Sequence, residues 1–556
     1  MRASLNSDTE PGHAAAPPSA SLAPPSAVIE HALRLFPLDD EAARSAARRL
    51  KTTEYHNVRI RLAALGQERA SLRPLMLAAQ AAVDRAAFVE CDGLLTKAEA
   101  IAHGGAARIQ TRKERADVAL LACEPERAER HYETAAGFLD PYTPEAAAEL
   151  RNASAGALHR HGRIFGVEGE EAAARLFRRN LNYWRRERHP EKWAMTQNNL
   201  GNTLHDLALR KGGDAAPALL REAIAAYRSA LKVYSRAKQP RRWGAAQGNL
   251  ATALGNLSRR KRGAAAAALF AEAAEAYRAA LSVRSRGARP GDWAQAQAEL
   301  SLALGAAASG KARRARTRIL DEAAAAGEAA LSVYSRDATP EHWAAARNNL
   351  GNAFRAQAAA GGGGALLVKA VLAYREALSA LGGEGAAEDP RRAAIRTNLS
   401  RALTDLAALA DRSTAARFAH EAAAMARAAL AARPLEAGVD GWAASISALI
   451  GARLAEAAAT DGAGAAEAAA DAVKLCRQAT APGLAVLGPT RLAAFQVTLG
   501  QALEAAAEPG AAGAQSRAEA RAAYAAALSR LDPRASPALV AVATEGRRRA
   551  ARSQAA

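Results

Sequence analysis

The 556-residue sequence is short of the residues that build strands, disulfide frameworks and membrane spans. Aromatic residues make up only 4 % of it, and there are three cysteines. Strands favour aromatic and β-branched side chains, so this scarcity argues against a β fold. Cys91, Cys123 and Cys476 stand far apart with no CxxC pair. That excludes a disulfide framework and fits reduced thiols within helices of a cytoplasmic protein. No stretch approaches the roughly 18 uncharged apolar residues of a membrane span. The segment from Met1 to Ala27 is rich in Pro, Ser and Ala, and it includes Asp8 and Glu10. It lacks the apolar core of a signal peptide and reads as a disordered tail.

Catalytic and metal-binding motifs are also missing. The 11 histidines show no HExxH spacing and none joins a Cys pair. His159 and His161 form an H-x-H, but residues two apart on a helix point to different faces. No GxxxxGK[ST] loop, GxSxG elbow or strand-linked GxGxxG is present. The glycine run Gly361 to Gly364 reads as an inter-helix loop. The expectation is therefore no catalytic residue, no metal and no cofactor.

What is present is alanine, arginine and length. A chain this long is multi-domain or a repeat array. Half of it is hydrophobic, and alanine, the best helix former, carries much of that count. The net charge is +19, from 75 basic and 56 acidic residues, with 64 Arg against 11 Lys. Such a balance suits nucleic acid, an anionic membrane or an acidic protein partner. Coding bias that enriches Arg and Ala together is the plainer reading, because the charge forms no single cluster.

Internal periodicity decides the fold. Pro190, Pro240, Pro290, Pro340 and Pro390 fall at intervals of 50. Trp193, Trp243, Trp293 and Trp343 follow the first four, then Leu200, Leu250, Leu300 and Leu350. The run Leu231 to Arg236 returns as Leu281 to Arg286 and Leu331 to Arg336. Each unit reads as two helices. Proline preorganises the first, with Ala194, Leu200, Leu204, Leu207 and Leu209 on its apolar stripe. The second carries Leu219, Leu220, Ala223, Ile224, Tyr227, Ala230, Leu231 and Tyr234. Neither stripe can be buried alone, whereas stacked pairs bury both.

Leu200-Gly201 and Leu350-Gly351, with Ala223, Tyr227 and Ala230, resemble the signatures of the tetratricopeptide repeat. The resemblance is to bacterial arrays with extended repeats and to kinesin light chains. It implies an all-α, right-handed superhelical solenoid of stacked antiparallel helix pairs. The standard unit is about 34 residues, so each repeat here carries roughly 16 extra. Along the chain we expect a tail at 1–27, a helical cap at 28–65 and short repeats at 66–140. Regular 50-residue repeats follow at 141–390, then degenerate ones at 391–535 and a basic cap and tail at 536–556.

Two sets of repeating polar residues are not explained by packing. Asn198, Asn199, Asn202, Asn249, Asn348, Asn349, Asn352 and Asn398 recur on first helices, where asparagine is a mediocre helix former. The resemblance implies a concave groove in which such amides hold the backbone of a partner peptide or helix. The alternative is that they tie one repeat to the next. Arg210, Lys211, Arg259, Arg260, Lys261, Arg262, Lys311, Arg313, Arg314 and Arg316 fall near the inter-helix turns. Stacked by translation, they would form a basic rim for nucleic acid or another polyanion. The alternative there is a solvated loop complementing helix C-termini. A cytoplasmic protein-interaction scaffold is the leading expectation, with nucleic acid the lesser one and no membrane partner.

Overall fold

Proline at the first helical position gives up an N–H that has no partner there. In the computed structural model, Pro190, Pro240, Pro290 and Pro340 each open an α-helix. The N–H of Trp193, Trp243, Trp293 and Trp343 then donates to the carbonyl just before each proline, at 2.9–3.0 Å. Residues 25–38, 40–261, 263–382, 390–507, 511–533 and 536–552 are described. Most of the expected tail (1–24), and Arg262 of the expected rim, lie outside them. Among the described residues there are 23 α-helices and no strand.

The chain divides into two compact units after Ser285. The first holds α1 (Ser26–Leu35), α2 (Glu41–Glu68), α3 (Arg73–Asp84), α4 (Phe88–Ile101), α5 (Gly105–Leu121) and α6 (Pro125–Leu139). It continues with α7 (Pro144–Phe165), α8 (Val167–Asn180), α9 (Pro190–Lys211), α10 (Ala216–Leu231), α11 (Pro240–Ser258) and α12 (Gly263–Leu281). The second holds α13 (Pro290–Ala307), α14 (Arg313–Leu331), α15 (Pro340–Gln357), α16 (Gly364–Ala380), α17 (Pro390–Ala407) and α18 (Arg412–Ala431). It ends with α19 (Val439–Ala459), α20 (Gly462–Ala479), α21 (Pro489–Ala505), α22 (Ala511–Leu528) and α23 (Pro537–Arg552). From α3 onward, consecutive helices form antiparallel pairs, each packed on the next within its unit. We call the first helix of a pair A and the second B. The fold is all-α, a solenoid of stacked helix pairs.

The N-terminal helices find their place here. The 28-residue helix α2 lies across α3, α5 and α7. It buries Tyr55, Val58, Leu62 and Leu65 against Leu72, Met76, Leu95 and Leu121. It runs to Glu68, three residues past the expected end of the cap.

Three details depart from the sequence reading. Leu209 is 38 % exposed, because the A-helix stripe ends at Ala208. Tyr234 lies beyond the end of α10, in the turn, yet is 5 % exposed. There it packs with Ala194, Ala230 and Ala246 beside Trp193 and Trp243, and Tyr334 does the same in the second unit beside Trp293 and Trp343. Cys91 and Cys476 are helical, but Cys123 stands in the turn after α5 with φ +61°. All three thiols are buried and free, and burial pushes Cys91 and Cys476 up to about 12.

Within the α9–α10 and α15–α16 pairs, an A-helix glycine meets a B-helix tyrosine closely. A Cβ on Gly201 would stand 2.6 Å from the Tyr227 ring, and one on Gly351 2.7 Å from Tyr374. The Leu-Gly signature thus marks where a B-helix ring packs against the A-helix backbone. Where the ring is replaced by Gly327, the glycine is replaced by Ser301, whose hydroxyl points at Gly327.

Between pairs, arginine and glutamate join successive B helices. Arg175 binds Glu129, Arg178 Glu222, Arg375 Glu421 and Arg477 Glu519, at 2.6–2.7 Å. Arg228 binds Glu272 in the same way.

A buried polar network links α7, α8, α9 and α11. His159 and Arg163 each approach Asp206 at 3.5 Å, Asn256 donates to His205 at 2.7 Å, and Arg210 pairs with Glu170 at 3.0 Å. His161 instead faces Phe165, with ring centroids 4.8 Å apart, so the H-x-H pair does splay. Burial drives His159 down to about 4. Burial also raises Glu170 to about 7, against the opposing pull of Arg210.

Two predictions follow from this packing. Gly351→Ala should destabilise the chain by about 1–3 kcal/mol in urea unfolding, the usual cost of overpacking. In a double-mutant cycle with Tyr374→Leu the loss should be less than additive; full additivity would mean that the ring is not the obstacle. Glu170 holds its proton more tightly folded than unfolded, so its contribution is complete below pH 4.5 and is lost as pH rises through 7. Glu170→Gln should therefore gain up to about 3 kcal/mol over the parent at pH 8, a gain that fades toward pH 4.5. His159 works oppositely, losing stability as pH falls from 6.5 toward 4, and that acid-side loss should survive the substitution. An unchanged urea midpoint at pH 8 would rule the assignment out.

Candidate partner-binding face

Every residue of the asparagine set lies on an A helix. Asn198, Asn199 and Asn202 are on α9 and Asn249 on α11, in the first unit. Asn348, Asn349 and Asn352 are on α15 and Asn398 on α17, in the second. All eight are half-buried. The helical repeat brings them together within each unit. Asn249 Nδ2 donates to Asn202 Oδ1 at 2.9 Å and to Asn198 Oδ1 at 3.4 Å. Asn349 Nδ2 donates to the Ala298 carbonyl at 3.0 Å, and Asn398 Nδ2 to Asn348 Oδ1 at 2.9 Å. These bonds join one A helix to the next.

The signature tyrosines take part as well, which the sequence reading missed. Tyr227 donates its hydroxyl to Asn202 Oδ1 at 2.9 Å, and Tyr374 donates to Asn352 Oδ1 at 2.8 Å. Burial raises both phenols above their ordinary range, so each stays a donor. The amide oxygens of Asn198, Asn202, Asn348 and Asn352 are therefore occupied from within. Their Nδ2 groups make no hydrogen bond among the described residues, nor does the side chain of Asn199. An amide offers donors and an acceptor together. What remains unbonded among the described residues is the Nδ2 of Asn198, Asn202, Asn348 and Asn352, the Oδ1 of Asn249, Asn349 and Asn398, and both ends of Asn199, a set that can donate and accept.

The basic residues fall into different settings. Arg210 and Lys211 form the last turn of α9 and reach back to α8. Arg210 binds Glu170 at 3.0 Å and the Arg163 carbonyl at 2.8 Å, and Lys211 pairs with Glu171. Arg259 donates to Asn256 Oδ1 at 2.7 Å, while Arg260 and Lys261 are exposed in the turn after α11. In the second unit Lys311 is in the turn, but Arg313, Arg314 and Arg316 belong to the first turn of α14. Arginine is a good helix former, so the helix begins earlier than the turn-based reading assumed. Arg313, Arg314, Thr317, Arg318 and Asp321 line an open depression of about 580 Å³ there. Gln357 donates to Asp321 at 2.7 Å. The glycine run follows α15 as a wide turn, with Gly361 and Gly363 at φ +107° and +79°.

Among the described residues no group of three or more His, Cys, Asp or Glu is placed to hold a metal ion. Among them, too, no helix is long and apolar enough to cross a membrane.

No family model and no curated protein matches the chain. Solved structures do resemble it. The apo form of the quorum sensor NprR from B. thuringiensis is 12 % identical, over 65 % of this chain and 87 % of that one, at TM-score 0.29. Yeast Tom70 is 11 % identical, over 86 % and 96 %, at TM-score 0.31. The Cut9–Hcn1 hetero-tetramer of APC/C is 14 % identical, over 94 % and 92 %, at TM-score 0.29. The fold assignment rests on the chain's own geometry, in which antiparallel pairs stack and a B-helix tyrosine seats on an A-helix glycine. The chain is a tetratricopeptide-like helical array.

Proposed function

We propose that the chain is a non-catalytic scaffold that binds an extended segment or helix of a partner protein along its A-helix face. The observation that supports this is the set of half-buried A-helix amides, seven of them held at one end by a tyrosine or by the neighbouring repeat and unbonded at the other. Amides fixed in this way lose little freedom on binding, which favours affinity. They suit the alternating carbonyl and N–H groups of a partner backbone and leave specificity to the side chains around them.

Asn199 makes no side-chain bond within the chain, so Asn199→Ala removes a donor at little cost to the fold. Asn349→Ala removes the bond to Ala298 as well, worth about 1 kcal/mol. Tagged chain purified from its native host, with mass spectrometry of co-eluting proteins, identifies the partner. At about 1 kcal/mol per hydrogen bond, the double variant should then bind it roughly 30-fold more weakly. The melting temperature of Asn199→Ala should match the parent. Undiminished binding by a folded double variant would sink the proposal and leave these amides to joining the repeats.

A second reading, polyanion or nucleic-acid binding, is favoured by the arginine-lined depression at the start of α14. Its test is a gel-shift titration across ionic strength. Nucleic acid held by Arg313, Arg314 and Arg318 should lose affinity with a log–log slope near −3, at about one counterion per phosphate neutralised. A probe not retained even at low salt would eliminate it.

A further inference from the structure

Three A helices of the second unit, α17, α19 and α21, line a half-open pocket of about 200 Å³. Arg401 reaches it from α17, Ser447 from α19, and Arg491, Phe495 and Thr498 from α21. The volume is several times a water's share of liquid, about 30 Å³, so it accommodates a small polar group with an organic substituent.

Arg401 sets this place apart. Its guanidinium is partly buried, and its one hydrogen bond among the described residues goes to the Ala444 carbonyl at 3.2 Å. Three other arginines of this unit are matched with carboxylates. Arg355 holds Asp405 at 2.7 Å, and Arg491 holds Asp440 at 2.7 Å. Arg453, on the same α19, is ringed by Glu456 at 2.7 Å and Asp471 at 3.0 Å. Asp405, whose charge also reaches Arg401, is thus engaged by Arg355. Burial first, and the Arg355 charge next, lower the Arg401 pKa below its ordinary value. A guanidinium has five N–H donors, and taking a cation out of water without an anion beside it is costly. Nothing in the packing of α17 requires arginine here, since the neighbouring Ala402 and Leu403 carry the core contacts.

We propose that this pocket binds a phosphate monoester, its oxygens taking the unused N–H groups of Arg401 with help from Ser447 and the outer edge of Arg491. Arg401, Ser447 and Arg491 line the pocket from three different helices, and an oxyanion with three free oxygens can accept from more than one of them. Thr498 spends its hydrogen on the Ala494 carbonyl at 3.0 Å, so it shapes the wall without donating. Phe495 and the alanines around it supply an apolar side for the organic substituent. The site stands independently of the scaffold reading, because a small ligand needs neither the asparagine row nor a protein partner.

The test is calorimetric titration of the full chain with phenyl phosphate, inorganic phosphate and benzoate, with thermal melts in parallel. Phenyl phosphate should bind saturably and raise the melting temperature, with inorganic phosphate and benzoate each at least tenfold weaker. Arg401→Met should abolish the phenyl phosphate response, while its own melt without ligand matches or exceeds the parent's, since an unpaired charge has gone. Arg401→Lys keeps the charge but loses the fork and should bind at least tenfold more weakly. Ser447 is exposed, so Ser447→Ala keeps the fold and should weaken binding several-fold. Absence of saturable phenyl phosphate binding by the parent overturns the proposal. So does benzoate binding as tightly, or unchanged affinity in folded Arg401→Lys and Ser447→Ala.

Discussion

A tyrosine ring lying directly on a glycine backbone is the constraint from which much else in this array follows. With no Cβ at Gly201 or Gly351, the B helix comes close enough to bury Tyr227 and Tyr374 to 1 % and 0 % exposure. A ring buried that deeply must place its hydroxyl on a partner, and the partner is an amide of the A helix, Asn202 or Asn352. One contact therefore fixes the distance between two helices and also the direction in which an amide faces. At the C-terminal end the same device is doubled. Tyr524 lies between Gly500 of α21 and Gly546 of α23, and its hydroxyl donates to Glu504 at 2.8 Å. That packing seats the last helix.

The interactions between pairs are of another kind. The Arg–Glu links along the B helices are mostly exposed, so each contributes only about 0–1 kcal/mol and is screened by salt. Their value lies in recurrence. A solenoid's cohesion is a sum of nearest-neighbour terms, and a link of fixed register in successive joints opposes sliding of one pair past the next. Arginine suits the task because its planar fork meets a carboxylate with two donors. Five arginines, Arg175, Arg178, Arg228, Arg375 and Arg477, are used structurally in this way.

Packing was the legible part of this sequence. A period of 50 exposes every position that must meet its own copy, and the prolines, tryptophans, Leu-Gly pairs and tyrosines stand where that period places them. Two periodic signals were legible but passed over. Arginine directly follows the signature aromatic at Arg178, Arg228 and Arg375, and glutamate directly precedes an alanine of the next B helix at Glu222, Glu272 and Glu421. Opposite charges also recur 50 or 51 residues apart on the A helices, as in Glu341–Arg391, Arg355–Asp405 and Asp440–Arg491. The position of Tyr234 was not legible: an apolar stripe continues smoothly past a helix end, and only the folded joint shows it packing from a turn. Nor was the state of Arg401, since an unmatched charge is defined by what surrounds it in space and leaves no mark on the chain.

The asparagines show why atom-level geometry alters a functional argument that sequence can only pose. Read as residue types, they suit a peptide backbone and a repeat-to-repeat tie equally well, because an amide is donor and acceptor at once. The structure divides those capacities between atoms. The nitrogens of Asn249, Asn349 and Asn398 are used between helices, and so are the oxygens of Asn198 and Asn348. The oxygens of Asn202 and Asn352 are pinned by tyrosine. What the repeats leave over is therefore of both polarities, N–H at Asn198, Asn202, Asn348 and Asn352 and oxygen at Asn249, Asn349 and Asn398. A face built from such remainders repels nothing by charge and offers both groups that pair with an extended polypeptide backbone. The bonds that hold the repeats in register use one end of each of these amides and orient the other, so the joining role and the binding role need not compete.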